Sequence, residues 1–363
     1  TYSSLEETYN KFFEELNESI DILTDFYEKS PDATPLAAYD FIFNGNVEKW
    51  IKFANTLKLR LAMRIVYANP AKAREEAESA VNHPVGVFTE VTDAAVLQQS
   101  SNLTYNHPLY IICYNFRDVK MGANMDSFLN GYKDPRIAAY FVKSTASDYR
   151  GIRNGINITT KEVYSEGPYS DLNVTSSSPI LWMGPAESYF LRAEGALRGW
   201  NMGGDAKSFY EQGIRTSFSF WGVSGADSYI NDNASTPAPY TDPQNSINNI
   251  PAGSPYLSTI TIKWDDEADF ETNLERIITQ KWIAGYTDGQ EAWSEFRRTR
   301  YPKVFPVVVN KSGGVISTEI QIRRLPFPTT EYSNNPAGVS QAISLLGGPD
   351  NGGTRLWWDK KGL

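Results

Sequence analysis

Apolar residues return every three or four positions from early in the chain. Tyr9, Phe12, Phe13, Leu16, Ile20, Leu23 and Tyr27 share one side of a helix. Ser3 or Ser4, followed three residues later by Glu6 or Glu7, marks its start as a capping box. A second helix is expected from near Asn46. There Trp50, Phe53, Leu57, Leu61 and Ile65 form one stripe, and Ile51, Ala62 and Val66 form another about a third of a turn away. A helix apolar on two sides is internal. Pro70 opens a third helix through Val81, whose thin alanine face among Lys72, Arg74, Glu75, Glu76 and Glu78 places it at the surface.

The same period returns between Pro185 and Trp221. Pro185 suits a first helical turn, Gly203-Gly204 break the chain, and Asp205 can cap the next helix. Tyr189, Ala193, Ala196 and Trp200 share one face, and their small members allow a neighbour to approach closely. Tyr210, Ile214, Phe218 and Trp221 supply that neighbour's seam. This is a tetratricopeptide-like helix pair, although no strict repeat period runs along the chain. A further hairpin lies at Glu275 to Pro306: Ile277, Ile278, Trp282 and Ile283 face inward, Asp288-Gly289 turn, Trp293 and Phe296 resume the pattern, and Pro302 ends it. Gln280, Lys281, Glu291, Arg297 and Arg298 sit among these apolar groups, where a charge needs a partner. Glu291 with Arg297 and Arg298 reads as a salt-bridged clamp.

Periodicity fails in two stretches, 143–180 and 222–263, which are rich in Gly, Ser, Asn, Pro and Thr. Connections this long inside a domain are functional or disordered. They carry Tyr149, Tyr164, Tyr169, Tyr229, Tyr240 and Tyr256, with Trp221 and Trp264 at the edges of the second. A ring held on a loop offers a flat platform to the C–H face of a sugar, and nearby amides can bond the hydroxyls. The candidate ligand-binding residues are therefore Tyr149, Tyr164, Tyr169, Trp221, Tyr229, Tyr240 and Trp264. One stacked sugar gains only about 1 kcal/mol per ring, so several rings would have to act together.

Composition narrows the function. With 363 residues, 41% of them hydrophobic, the chain can bury a large core. A net charge of −9 without a basic stripe argues against a nucleic-acid surface. One cysteine, Cys113, lies in the apolar run PLYIICYNF and reads as a buried thiol. The two histidines, His83 and His107, each precede proline and suggest turns rather than metal ligands or a catalytic triad. No run is long and apolar enough to span a bilayer.

Carboxylate pairs read as structural. Glu187 and Glu194 share a helix face with Arg198 one turn beyond, and an adjacent arginine lowers the pKa that a general acid needs raised. The run Asp265, Asp266, Glu267, Asp269 precedes a helix and complements its dipole. A structural calcium ion there is a second reading, although the spacing is not that of an EF-hand loop. No cofactor is expected. GGPDNGG at Gly347 to Gly353 follows no evident strand, so it does not read as a phosphate loop.

Several blocks together resemble the SusD/RagB family, and its SusD-like branch in particular. They are WIKFANTLKLRLAMRI from Trp50, MGPAESYFLRAEGALRGW from Met183, ERIITQKWIAGYTDGQEAWSEFRRTRYPKVFP from Glu275, RRLPFPTTEYSNN from Arg323, and the closing TRLWWDK. The resemblance covers nearly the whole chain. It implies a mostly all-α fold, one domain over 1–363, in which helix pairs build a curved scaffold and the loops at 143–180 and 222–263 face the ligand. It also implies a nonenzymatic lipoprotein on the outer face of the outer membrane. Such a protein captures oligosaccharides for a SusC-like TonB-dependent transporter. The family's lipidated cysteine and N-terminal helical section match no residues here, so this chain is expected to be a truncated or processed form. Two readings stay open beside it: capture of peptides or amino acids by the same type of lipoprotein, and a helical glycoside hydrolase.

Overall fold

The computed structural model describes residues 2–362. Nine helices of nine residues or more carry the fold among them: α1 Leu5–Lys29, α2 Val47–Arg64, α3 Pro70–Val81, α4 Ala123–Gly131, α5 Pro185–Leu197, α6 Ala206–Phe220, α7 Phe270–Ala284, α8 Gly289–Thr299 and α9 Pro336–Leu346. A two-stranded antiparallel sheet pairs β1, Ala95–Leu97, with β2, Ile180–Met183. The fold is thus the helical one expected, and the strand pair is an addition.

Local chemistry sets the helix starts. Ser4 and Glu7 form the capping box of α1, each side chain bonding the other's backbone N–H. Asn46, Asn69, Asp205, Asp269 and Asp288 cap α2, α3, α6, α7 and α8 in the same way, each accepting from an N–H in the first turn. The predicted ends are less accurate. α5 stops at Leu197, leaving Trp200 beyond it, and α8 stops at Thr299, where Arg300 takes a left-handed conformation with φ 69°.

α5 and α6 pack as the predicted pair. At Gly213 a Cβ would lie 2.8 Å from the Phe190 ring, and at Gly195 it would lie 2.5 Å from Met202. The absence of a side chain at Gly213 sets the close approach of the two helices, and at Gly195 it makes room for Met202 of their connector. Tyr210, Ile214 and Phe218 then fill the seam, each essentially inaccessible. α3 turns Ala73, Ala77 and Ala80 to the core, and Glu76 is buried beside them, paired with Lys72 at 2.8 Å. Cys113 is a buried thiol, 3.6 Å from Asp171.

The charged residues of the hairpin join a lattice that ties four helices together. From α2, Arg60 Nε donates to Glu187 of α5 at 2.7 Å, and Arg64 donates to Glu291 of α8 at 2.6 Å. Lys281 of α7 lies 2.8 Å from Glu291 and 3.4 Å from both Glu187 and Glu295. Arg298 of α8 donates to Glu194 at 2.6–2.7 Å and to Glu295 at 2.7 Å, and Arg198 adds a bond to Glu194 at 2.8 Å. Burial pushes the Glu194 carboxyl up, but Arg298 and Arg198 outweigh it and hold the pKa at about 2. Glu291 and Glu295 are lowered for the same reason.

This arrangement corrects the expected clamp. Positions 291, 297 and 298 lie six and seven residues apart, so they neither share a turn nor present adjacent side chains. Glu291 turns to Arg64 and Lys281 instead, and Arg298 finds Glu295 one turn back. Arg297 lies over the Trp293 ring at 3.6 Å and donates to the Arg323 carbonyl. Arg323 in turn pairs with Asp359, which fastens the closing block to the hairpin.

Replacing Arg298 by Met should leave Glu194 and Glu295 without their main partner and lower unfolding stability by about 3–5 kcal/mol in urea titrations. A loss below 1 kcal/mol would contradict the lattice as drawn. Glu194 has a folded pKa lowered from 4.5 to about 2. Its stabilisation is complete above the unfolded value and should fade as pH falls through that interval, which acid-unfolding curves of the Glu194→Gln variant and the parent would reveal.

Candidate ligand-binding groove

The two long connectors are ordered, and most of their rings turn inward. Tyr164, Tyr169, Tyr229, Tyr240 and Trp264 are each at most 7% exposed. Tyr164 stacks on Tyr169 at 5.8 Å, and the Tyr169 hydroxyl donates to Asp242 at 2.7 Å. The Tyr240 hydroxyl donates to the Gly151 carbonyl at 2.9 Å, joining the second connector to the first. Tyr229 meets the fully buried Arg136, whose guanidinium also bonds Asp134, Ser217 and Gln280. Trp264 Nε1 donates to Asp266 while its ring packs on Tyr210. Tyr149 is half-buried near Lys143.

These positions correct the expectation that the connectors display a set of stacking platforms. A polar loop has few apolar residues with which to anchor itself, and a tyrosine supplies both a buried ring and a hydroxyl for an otherwise unpaired carbonyl or carboxylate. Here the rings hold the loops down. The acidic run is likewise committed to local tasks: Asp269 caps α7, Asp266 accepts from Trp264 and Lys207, and Asp265 accepts from the Glu267 N–H. Among the described residues no group of three or more His, Cys, Asp or Glu side chains is placed to hold a metal ion.

Trp221 behaves differently. It is half-buried at the end of α6 and borders a hollow of about 330 Å³ beside the two-stranded sheet. Leu181, Phe220, Trp221 and Tyr286 make the apolar wall; Gln98, His107, Asn173 and Ser178 supply polar groups. A second hollow of about 540 Å³ shares Val96, Gln98 and Phe220 with it and adds Asn44, Gln99 and Asn102. On the other flank Leu181 also borders a narrow space of about 40 Å³ next to Trp182, floored by Glu187, Lys281 and Glu291 of the lattice. Trp182 itself is 47% exposed. The two larger spaces adjoin as a groove along β1, and the narrow one flanks it across Leu181 of β2.

Its walls are fixed from behind. Tyr286 stacks on Tyr140 at 4.3 Å and donates to the Tyr140 carbonyl, and Trp221 meets Tyr140 edge-on at 4.7 Å. His107 is the expected turn residue, with Nδ1 accepting from the Leu109 N–H at 3.1 Å. Burial lowers its pKa, against a smaller opposing contribution from a hydrogen bond to the Pro179 backbone, so the ring is neutral at pH 7. Neither of the two larger hollows is bordered by Asp or Glu. An apolar wall facing amides and hydroxyls, nearly free of charge, suits a neutral polyhydroxylated ligand.

Gln98, Trp182, Phe220 and Tyr286 were missed as site residues in the sequence. The available signal was ILWM at 180–183, a short apolar run ahead of Gly184-Pro185, which reads as a strand once its partner is known.

Comparison with protein families matches residues 1–359 to SusD-like, described as Susd and RagB outer membrane lipoprotein. A chitin-binding SusD homolog from Flavobacterium johnsoniae shares 46% identity over 99% of this chain and 74% of its own, with a TM-score of 0.93. A SusD homolog from Bacteroides uniformis, also 46% identical, covers 98% of this chain and 73% of its own at a TM-score of 0.91. A SusD-like protein from Bacteroides thetaiotaomicron is 41% identical over 97% of this chain and 72% of its own, with a TM-score of 0.90. None of the curated proteins matches this chain. The chain belongs to the SusD/RagB family of outer-membrane lipoproteins. No helix among the described residues is long and apolar enough to cross a membrane.

Tyr240→Ala should act on the fold: loss of the buried ring and its bond to Gly151 is expected to cost about 3–5 kcal/mol in denaturant titrations. A variant as stable as the parent would show that the ring is not held inside.

Proposed function

We propose that this protein is a nonenzymatic, cell-surface glycan-binding lipoprotein that passes oligosaccharides to a SusC-like TonB-dependent transporter. The observation that carries the reading is the groove beside β1 and β2, where Trp221 and Phe220 stand among Gln98, Asn102 and Asn173, with the half-exposed Trp182 on its flank. Sugars bind proteins through this combination, C–H faces on aromatic rings and hydroxyls on amides. Family membership supports the lipoprotein setting. The relative described as chitin-binding makes chitooligosaccharides the first ligands to try. The family resemblance supports transporter docking and delivery.

A noncatalytic role fits the carboxylates. Glycoside hydrolysis uses two carboxyl groups flanking the scissile bond, one with a raised pKa. Glu187, Glu291 and Glu295, which lie beneath the groove, are engaged by Arg60, Arg64 and Lys281; Glu291 and Glu295 are lowered, and Asp288, which burial raises, is committed to capping α8 and to Arg60. The 330 Å³ hollow beside Trp221 holds no charged pair to fix both ends of a free amino acid, and this favours sugar over that alternative.

Calorimetric titration with chitotriose and other neutral oligosaccharides, alongside short peptides, tests the assignment. Trp182→Ala should weaken the sugar by about tenfold, the equivalent of about 1.4 kcal/mol, with thermal stability nearly unchanged because the ring is half exposed. Binding of peptides alone, or unaltered sugar affinity in the variant, would overturn the reading.

A further inference from the structure

A separate cleft of about 550 Å³ opens between the segments 117–122 and 152–165, away from the sheet. Four cations border it, Arg117, Lys120, Arg153 and Lys161, against one carboxylate, Asp118. This is a local reversal of sign on a chain whose net charge is −9.

Arg153 is the informative member. It is 7% exposed, and its hydrogen bonds all end on backbone carbonyls, twice on Pro306 and once on Asn248. Those neutral acceptors satisfy its N–H groups and leave its charge uncompensated. Two of the remaining cations have partners of a loose kind. Lys161 pairs with Asp118 and Arg117 with Glu166, at side chains half or more exposed on both sides. Lys120, only 10% exposed, is held by Asp171 at 2.6 Å and stays committed to it. Exposed pairs contribute no more than about 1 kcal/mol, so an arriving anion displaces them at little cost. Ile156, Ile158 and Tyr164 form an apolar side to the same cleft, with the Thr159 and Thr160 hydroxyls nearby.

We propose that this cleft is a second binding site, taking a sugar that bears a carboxylate or a sulfate ester. The anion faces Arg153, Lys161 and Arg117, and the ring lies toward Ile158 and the edge of Tyr164. That the ligand is a sugar rests on the function proposed above; that it is anionic rests on the cleft alone.

The test is calorimetry at low salt with trigalacturonate, a sulfated disaccharide and chitotriose. At least one acidic ligand should bind, and which of the two does so identifies the anion. The double variant Arg117→Gln/Lys161→Gln changes only surface side chains and should weaken that ligand by about tenfold or more, leaving chitotriose unaffected. Trp182→Ala should do the reverse. Acidic sugars that bind no more tightly than chitotriose, or that bind the double variant unchanged, would overturn the second site. Acidic binding lost in the double variant, with no neutral sugar bound anywhere, would retain this site and remove the groove assignment.

Discussion

Arg60 connects the two walls of the groove through the buried lattice. It donates to Glu187 in the first turn of α5, directly after β2, and reaches Asp288, the cap of α8, at 3.4 Å. β2 carries Leu181 and Trp182, and the turn before Asp288 carries Tyr286. The apolar sides of the groove are therefore positioned by an ion pair that contains no apolar group. Arg60, Arg64, Lys281, Arg198 and Arg298 face Glu187, Glu194, Asp288, Glu291 and Glu295, and the equal numbers let the interior accept charge without an excess. Each member alone would be costly to bury. Held together, they specify which helix faces which, because a shift of one turn separates every donor from its acceptor.

Asp288 differs from Glu194, Glu291 and Glu295. Its pKa is raised, chiefly by burial, whereas theirs are lowered. Arg60 is shared among three carboxylates, and at 3.4 Å it is the one cation paired with Asp288 among the described residues. The edge of the lattice that underlies the groove is consequently its least compensated part. Deeper in, Glu194 and Arg298 form the tight end.

What the sequence revealed follows from the range of each interaction. Ser4 and Asp205 act within three residues, so their capping roles were readable before any fold was known, whereas Asp288 read as a turn residue and also caps α8. The helical class and the α5–α6 seam were readable for the same reason. The ion partners were not: Arg64 and Glu291 are 227 positions apart, and proximity in sequence suggested Arg297 and Arg298 instead. β1 and β2 are three and four residues long and meet only across the first connector and the segment before it, too short for an alternating pattern to stand out. The loop tyrosines misled for a physical reason. Polar neighbours in sequence implied exposure, whereas Asp242 and the Gly151 carbonyl offered each hydroxyl a partner inside. Trp221 alone among the seven candidates borders the groove, as it ends a helix instead of belonging to a loop.

The neutral groove and the cationic cleft can coexist on an acidic protein because charge is felt over a short range in salt. At physiological ionic strength the screening length is about 8 Å, so a ligand at the cleft responds to Arg153 and its neighbours more than to the distant carboxylates of α1. A ring stacked in the groove gains only about 1 kcal/mol per aromatic contact, and an exposed cation adds a comparable amount. Neither site grips a short ligand firmly. A polymer that mixes neutral and acidic units could engage both, its second contact forming at the high local concentration set by the first. Selectivity would then come from the spacing of charge along the chain, a property that no single ring or arginine can read.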